Sequence, residues 1–179
     1  MALHEVRLQE GRLHGQERVE RTVPANRNQL LGSCAEQMNE MKLPAGVEFH
    51  EDIRLLIYRP RGVLNEQSVD KIVGIIRELE SKLQEPFNRF FDTCRHDEVE
   101  LNYQYVIQIS LYRVLSYGDR PPVKSAILAT DSTIIHYCQL HAIITEDSPI
   151  NVRIFQQRED AAQWLGVPIE RLAPKFADG

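Results

Sequence analysis

Three observations predict an α/β fold with a mostly parallel sheet, an antiparallel hairpin at its N-terminal edge, and helices on both faces. Strand-like runs alternate with helical patterns from residue 47 onward, as they do in chains of βαβ units. The run Ala126-Ile-Leu-Ala129 is unbroken apolar, the pattern of a parallel strand covered on both sides. Val47–Phe49 and Ile53–Tyr58 are separated only by His50-Glu51-Asp52, so they read as the two strands of a hairpin.

The first aromatic residue is Phe49. A segment without aromatics buries little surface against a large ordering entropy, so residues 1–27 are expected to be mobile. Leu30, Leu31, Cys34, Met38 and Met41 recur at helical spacing behind Asn28, which predicts a helix over 28–41 ended by Pro44 and Gly46. Residues 1–46 are therefore read as an N-terminal extension, 47–168 as the α/β domain and 169–179 as a C-terminal tail.

Beyond the hairpin, Arg59-Pro-Arg-Gly62 breaks the strand. Asn65 is a good N-cap, and Val69, Ile72, Val73, Ile76, Leu79 and Leu83 form one apolar stripe, so a helix runs to Pro86. Phe87–Thr93 reads as a strand. Residues 99–117 fit two patterns. Val99, Leu101, Tyr103, Tyr105, Ile107, Ile109 and Leu111 alternate like a strand. Asn102, however, can cap a helix, and the length of the run favours a helix. Gly118 to Pro122 is a loop, Val123–Thr130 a strand, and Asp131 or Ser132 caps a helix through about Thr145. Asn151–Gln156 and Arg158–Leu165 complete the order as strand and helix.

The 179 residues carry 21 Lys+Arg against 26 Asp+Glu, a net charge of -5. No basic footprint for nucleic acid follows from that balance. The longest uncharged stretch, Ser132–Thr145, is too short and polar to span a bilayer. The opening Met-Ala-Leu-His-Glu-Val-Arg lacks an apolar signal core, and the three cysteines share no C-x-x-C spacing. A cytoplasmic chain with no cofactor and no metal is expected. His136, Cys138 and His141 do not change that expectation. On a helix His136 and His141 lie about 140° apart, and the two that face together are too few ligands.

Four stretches across residues 47–168 carry a resemblance: Tyr58-Arg-Pro-Arg-Gly62-Val-Leu-Asn65; Arg89-Phe-Phe-Asp92-Thr93; Arg120-Pro-Pro-Val-Lys-Ser-Ala-Ile-Leu-Ala129; and Val152-Arg-Ile-Phe155 with Glu159-Asp-Ala-Ala-Gln-Trp164-Leu165. The chain resembles the STAS superfamily, the fold of anti-anti-sigma factors, and within it the SpoIIAA-like branch of mostly uncharacterised bacterial proteins. In anti-anti-sigma factors a strand-ending Asp is followed by Asp-Ser-Ser-Gly, whose second serine is phosphorylated to break a kinase complex. In register with that motif stands Glu100-Leu101-Asn102-Tyr103. Asn102 has no hydroxyl, so the resemblance implies the fold and a partner-binding edge without the phosphorylation switch.

The first functional expectation is a non-enzymatic, regulatory interaction module. It would bind a protein partner through the carboxyl edge of its sheet, at Asp92, Thr93, Glu100, Asn102, Tyr103, Asp131, Ser132 and Thr133, or form a homodimer. Leu140 and Ile143, opposite the Ile134, Ile135, Cys138 and Ala142 face of the 132–145 helix, mark a candidate interface. The alternative is a carrier of a small ligand or lipid, whose sign would be an apolar pocket lined by Tyr103, Tyr105, Ile109 and Tyr112. An enzyme using the rim acids Asp92, Asp97, Glu98, Glu100 and Asp131 is a third reading. The rim lacks a Gly-rich phosphate loop, a G-x-S-x-G elbow and an H-E-x-x-H pair. Arg59, Arg61, Arg89, Arg95 and Arg120 read as scattered surface charge, and Arg95 beside Cys94 would lower that thiol's pKa.

Overall fold

The computed structural model describes residues 43–83 and 85–174; the expected mobile segment 1–27 and helix 28–41 lie outside the described residues. β1 (Val47–His50) and β2 (Leu55–Tyr58) form the antiparallel hairpin. The entry to β1 requires a glycine. Gly46 has φ +83°, and a Cβ there would stand 2.6 Å from the Arg59 carbonyl oxygen, while Gly46 O accepts the Arg59 N–H at 2.8 Å.

The chain then makes β3 (Gly62–Asn65), α1 (Glu66–Lys82), β4 (Asn88–Asp92), β5 (His96–Glu100), α2 (Tyr103–Tyr117), β6 (Val123–Leu128), α3 (Ser132–Ile144), β7 (Ile150–Phe155), α4 (Arg158–Leu165) and α5 (Ile169–Leu172). Three helices begin on side-chain caps. Asn65 and Ser68 form a reciprocal capping box on α1, Asn102 accepts the Tyr105 N–H on α2, and Asp131 accepts the Ile134 N–H on α3. The ambiguous tract 99–117 divides at its cap: the strand runs to Glu100 and the helix starts at Tyr103.

The main sheet has the order β1-β2-β4-β6-β7, parallel except at β1, with helices on both faces as predicted. Side chains alternate between those faces. Leu55, Ile57, Phe90, Ala126 and Leu128 pack with Ala161, Ala162 and Leu165 of α4 and with Leu172 of α5. Leu56, Arg89, Phe91, Ser125 and Ile127 face the layer formed by α1, α2 and α3.

Two features depart from the sequence reading. β3 and β5 pair in parallel as a separate two-stranded sheet. Four and five residues long, and acidic in β5, neither run carries a strand signal of its own, and each is a strand because of the other. Within the stretch read as a C-terminal tail, residues 169–173 are docked on the domain. Ile169–Leu172 makes a helical turn whose Leu172 is fully buried, and Arg59 donates to the carbonyls of Leu172 and Ala173 at 3.1 and 3.0 Å. One buried leucine and two hydrogen bonds dock a segment too short to show periodicity.

Candidate functional site

A cavity of about 180 Å³ lies between the helix layer and the sheet. Its walls follow from strand alternation and helical spacing. Phe91, Ser125 and Ile127 come up from the sheet; Val69, Ile72, Val73 and Ile76 come from one stripe of α1; Tyr105, Val106 and Ile109 come from α2; Ile134, Tyr137 and Cys138 come from α3. The lining is overwhelmingly apolar. The helices run back against the parallel strands, so the cavity extends from the carboxyl edge, at Tyr58, Thr93 and Leu101, toward the amino ends of the strands. There Arg89, Arg113, Ser125 and His141 border it, with Arg89 and Ser125 opposite one another in the β4–β6 register.

That inner end is polar and buried. Glu80, its side chain 5% exposed, pairs with Arg89 on β4 and at 2.7 Å with Arg113 on α2. Arg120, 43% exposed, approaches the same carboxylate at 3.9 Å. The Tyr117 ring lies 5.3 to 5.9 Å from all three guanidiniums, and its hydroxyl donates to Pro121 O at 2.8 Å. Burial pushes Arg89 down to about 10, with Arg113 acting the same way and Glu80 opposing. Its Nε has no hydrogen-bond partner among the described residues. His141 keeps some accessible surface because it borders the cavity, yet protein surrounds it. Burial first, then Arg113 and Arg89, push its pKa down to about 4, so the ring is neutral at pH 7. Its Nδ1 lies 2.8 Å from Ser110 Oγ. Burial also pushes the Cys138 thiol up to about 12.

The structure disperses the residues that the sequence grouped at the carboxyl edge. Asp92, 1% exposed, lies on the α4 face, holding Arg158 at 3.0 Å and near Arg59 at 4.0 Å. Thr93 borders the cavity, and its hydroxyl donates to Leu128 O at 2.8 Å. Asn102, besides capping α2, donates to Glu66 Oε1 at 2.7 Å, and Tyr105 OH donates to Asp70 Oδ1 at 2.8 Å, so these two join α2 to α1. Asp131 is the cap of α3. Glu100, Ser132 and Thr133 are exposed, and Tyr103, 57% exposed, stacks edge-on to Tyr137 at 4.9 Å. Of the other rim acids, Asp97 and Glu98 are exposed on β5. Ile143 is 68% exposed beside a shallow groove with Pro122 and Pro149, and Leu140 is half-buried.

Of the four residues expected to line a pocket, Tyr105 and Ile109 do. Tyr103 and Tyr112 instead turn outward because α2 buries Val106, Ser110, Arg113 and Tyr117. The arginines do not share one patch: Arg59 serves α5, Arg89 and Arg120 meet at Glu80, and Arg61 and Arg95 are exposed. The Cys94 pKa is raised, by burial and then by Asp92, rather than lowered by Arg95. Sequence reasoning missed the Glu80–Arg89–Arg113–His141 cluster. Its one sequence signal is that Ser110 and Arg113 share a helical face with Val106 and Tyr117.

Among the described residues no group of three or more His, Cys, Asp or Glu is placed to hold a metal ion, and no helix is long and apolar enough to cross a membrane. No family model and no curated protein matches the chain. Among solved structures it is similar to an uncharacterised protein of the DUF3478 family with a SpoIIAA-like fold, from Shewanella loihica PV-4. The two are 15% identical, with 70% of this chain and 98% of that chain covered and a TM-score of 0.44.

Proposed function

We propose that this chain is a binding module that holds a small, largely apolar molecule in the cavity between its sheet and α1–α3. The cavity itself carries the reading. An apolar void of about 150 Å³ admits a ligand the size of benzene, and this one is about 180 Å³. A ligand seated there would remove the apolar walls from water, which favours binding. The test is a titration with 1-octanol, followed by amide and methyl NMR. Saturable shifts at Val73, Ile76, Ile109 and Ile127 are expected; no shift, or shifts confined to surface residues, would sink the reading.

A second reading, interaction with a protein, is supported by α2. Ile107, Leu111 and Leu115 repeat every four residues and are 40%, 50% and 82% exposed, an apolar stripe of the kind that marks contact surfaces. In this reading the docking surface is the outer face of α2 rather than the carboxyl edge.

A further inference from the structure

We propose that the molecule held in the cavity is a monocarboxylate with a short to medium alkyl chain, its carboxylate seated beside Arg89 and Arg113. This rests on the cavity being a ligand site and adds the chemical class of the ligand.

The argument starts from charge. Arg89 and Arg113 are 3% and 5% exposed, and among the described residues their one buried counter-ion is Glu80. Two enclosed cations thus share a single anion, leaving one positive charge without a buried partner. Arg120 adds more positive charge, but at 43% exposed it is solvated. His141 is neutral and contributes none. Uncompensated buried charge is costly, and no second carboxylate among the described residues pairs with these two: Asp92, also on β4, faces the opposite side of the sheet and is held by Arg158.

Geometry places that excess at the cavity. Both arginines border it, and Arg89 Nε is buried without a hydrogen-bond partner among the described residues. A carboxylate is the group that a guanidinium binds with two parallel hydrogen bonds. A monoanion also balances the cluster, whereas a phosphate dianion would reverse its sign. The rest of the ligand must match walls that are almost wholly apolar. A space of about 180 Å³ suits one short chain.

The test compares two probes of equal chain length, sodium octanoate and 1-octanol, by calorimetry on the unmodified protein. Charged hydrogen bonds in a desolvated site favour the acid, so octanoate is expected to bind about tenfold or more tightly. Arg89→Met should erase that preference, and Arg113→Met provides a second variant if the first does not fold. Equal affinities on the unmodified protein, or tighter binding of the alcohol, would overturn the carboxylate assignment and leave the cavity reading standing. Binding of neither probe would overturn both. Since the comparison on the unmodified protein decides the matter, failure of both variants to fold would not remove the test.

Discussion

Replacing Val73 by Phe measures whether the space between α1 and the sheet is real. Val73 projects into the cavity from the middle of α1, and Val and Phe have similar helix propensities. By the cavity rule of ~24 cal/mol per Å³, a void of 180 Å³ forfeits at most about 4 kcal/mol. Phe adds four carbons, and at ~0.8 kcal/mol per buried methylene the transfer gain approaches about 3 kcal/mol. Lost rotamer freedom and imperfect fit reduce this to about 1–2 kcal/mol of net stabilisation. Urea denaturation with an unchanged m-value is the assay, and octanol binding should weaken in the same variant because the ring occupies its place. If Val73→Phe instead destabilises by the ~1–3 kcal/mol typical of overpacking, the walls have no room for the ring. The ligand-binding reading would then lose its foundation.

Other perturbations test separate parts of the structure. Glu80→Gln leaves Arg89 and Arg113 without their shared carboxylate and should cost about 3–5 kcal/mol, seen as a lower urea midpoint; a loss under about 1 kcal/mol would mean that the cluster is solvated. His141 is neutral in the fold, with its pKa lowered from 6.5 to about 4, so the unfolded chain takes up the proton first. Its contribution is complete above pH 6.5 and is lost as pH falls toward 4. A His141→Gln variant should therefore show a flatter stability profile across that window, and an identical profile would contradict the assignment. Asp92→Asn weakens the tie from β4 to Arg158 and should cost about 1.5–3 kcal/mol with no effect on octanol affinity, because Asp92 lies on the other face of the sheet. Leu111→Glu with Leu115→Glu should change stability by no more than about 0.5 kcal/mol per site, since both are exposed. Sedimentation would report the loss of any association made through α2.

The sequence made the fold legible wherever one physical signal dominated. The α1 stripe, the Asn65 cap and the apolar centre of β6 each pointed one way, and each stands; the Asn102 cap stands too, in a tract that also alternated like a strand. β3 and β5 were illegible because neither short run has a strand signal apart from its partner. The site was only half legible. Tyr105 and Ile109 were picked out as pocket residues, but Tyr103 and Tyr112 beside them face outward. Of the edge residues, Asp92 and Thr93 part because neighbours at a strand end turn to opposite faces, with Thr93 on the cavity and Asp92 on α4. Glu80 was hidden among exposed charges of α1. Nothing in a helical pattern tells a solvated glutamate from one held between two arginines on other elements.

The orientation of α2 accounts for both the missed cluster and the exposed stripe. Apolar residues lie on several sides of α2, and burying the stripe Ile107, Leu111 and Leu115 would leave Ser110 and Arg113 in water. The structure does the reverse: Ser110 and Arg113 are 0% and 5% exposed, whereas Leu115 is 82% exposed. Turning the helix this way forgoes roughly 1.5–3 kcal/mol for each large apolar side chain left outside, and the buried guanidinium must also be desolvated. Glu80 and the Ser110–His141 contact compensate in part, and the same turn sets Arg113 and Ile109 at the cavity. A helix whose only task was to close the core would gain by rotating its leucines inward. A helix that presents Arg113 and Ile109 to a ligand has a reason to stay as it is, and the acid–alcohol comparison tests that reason directly.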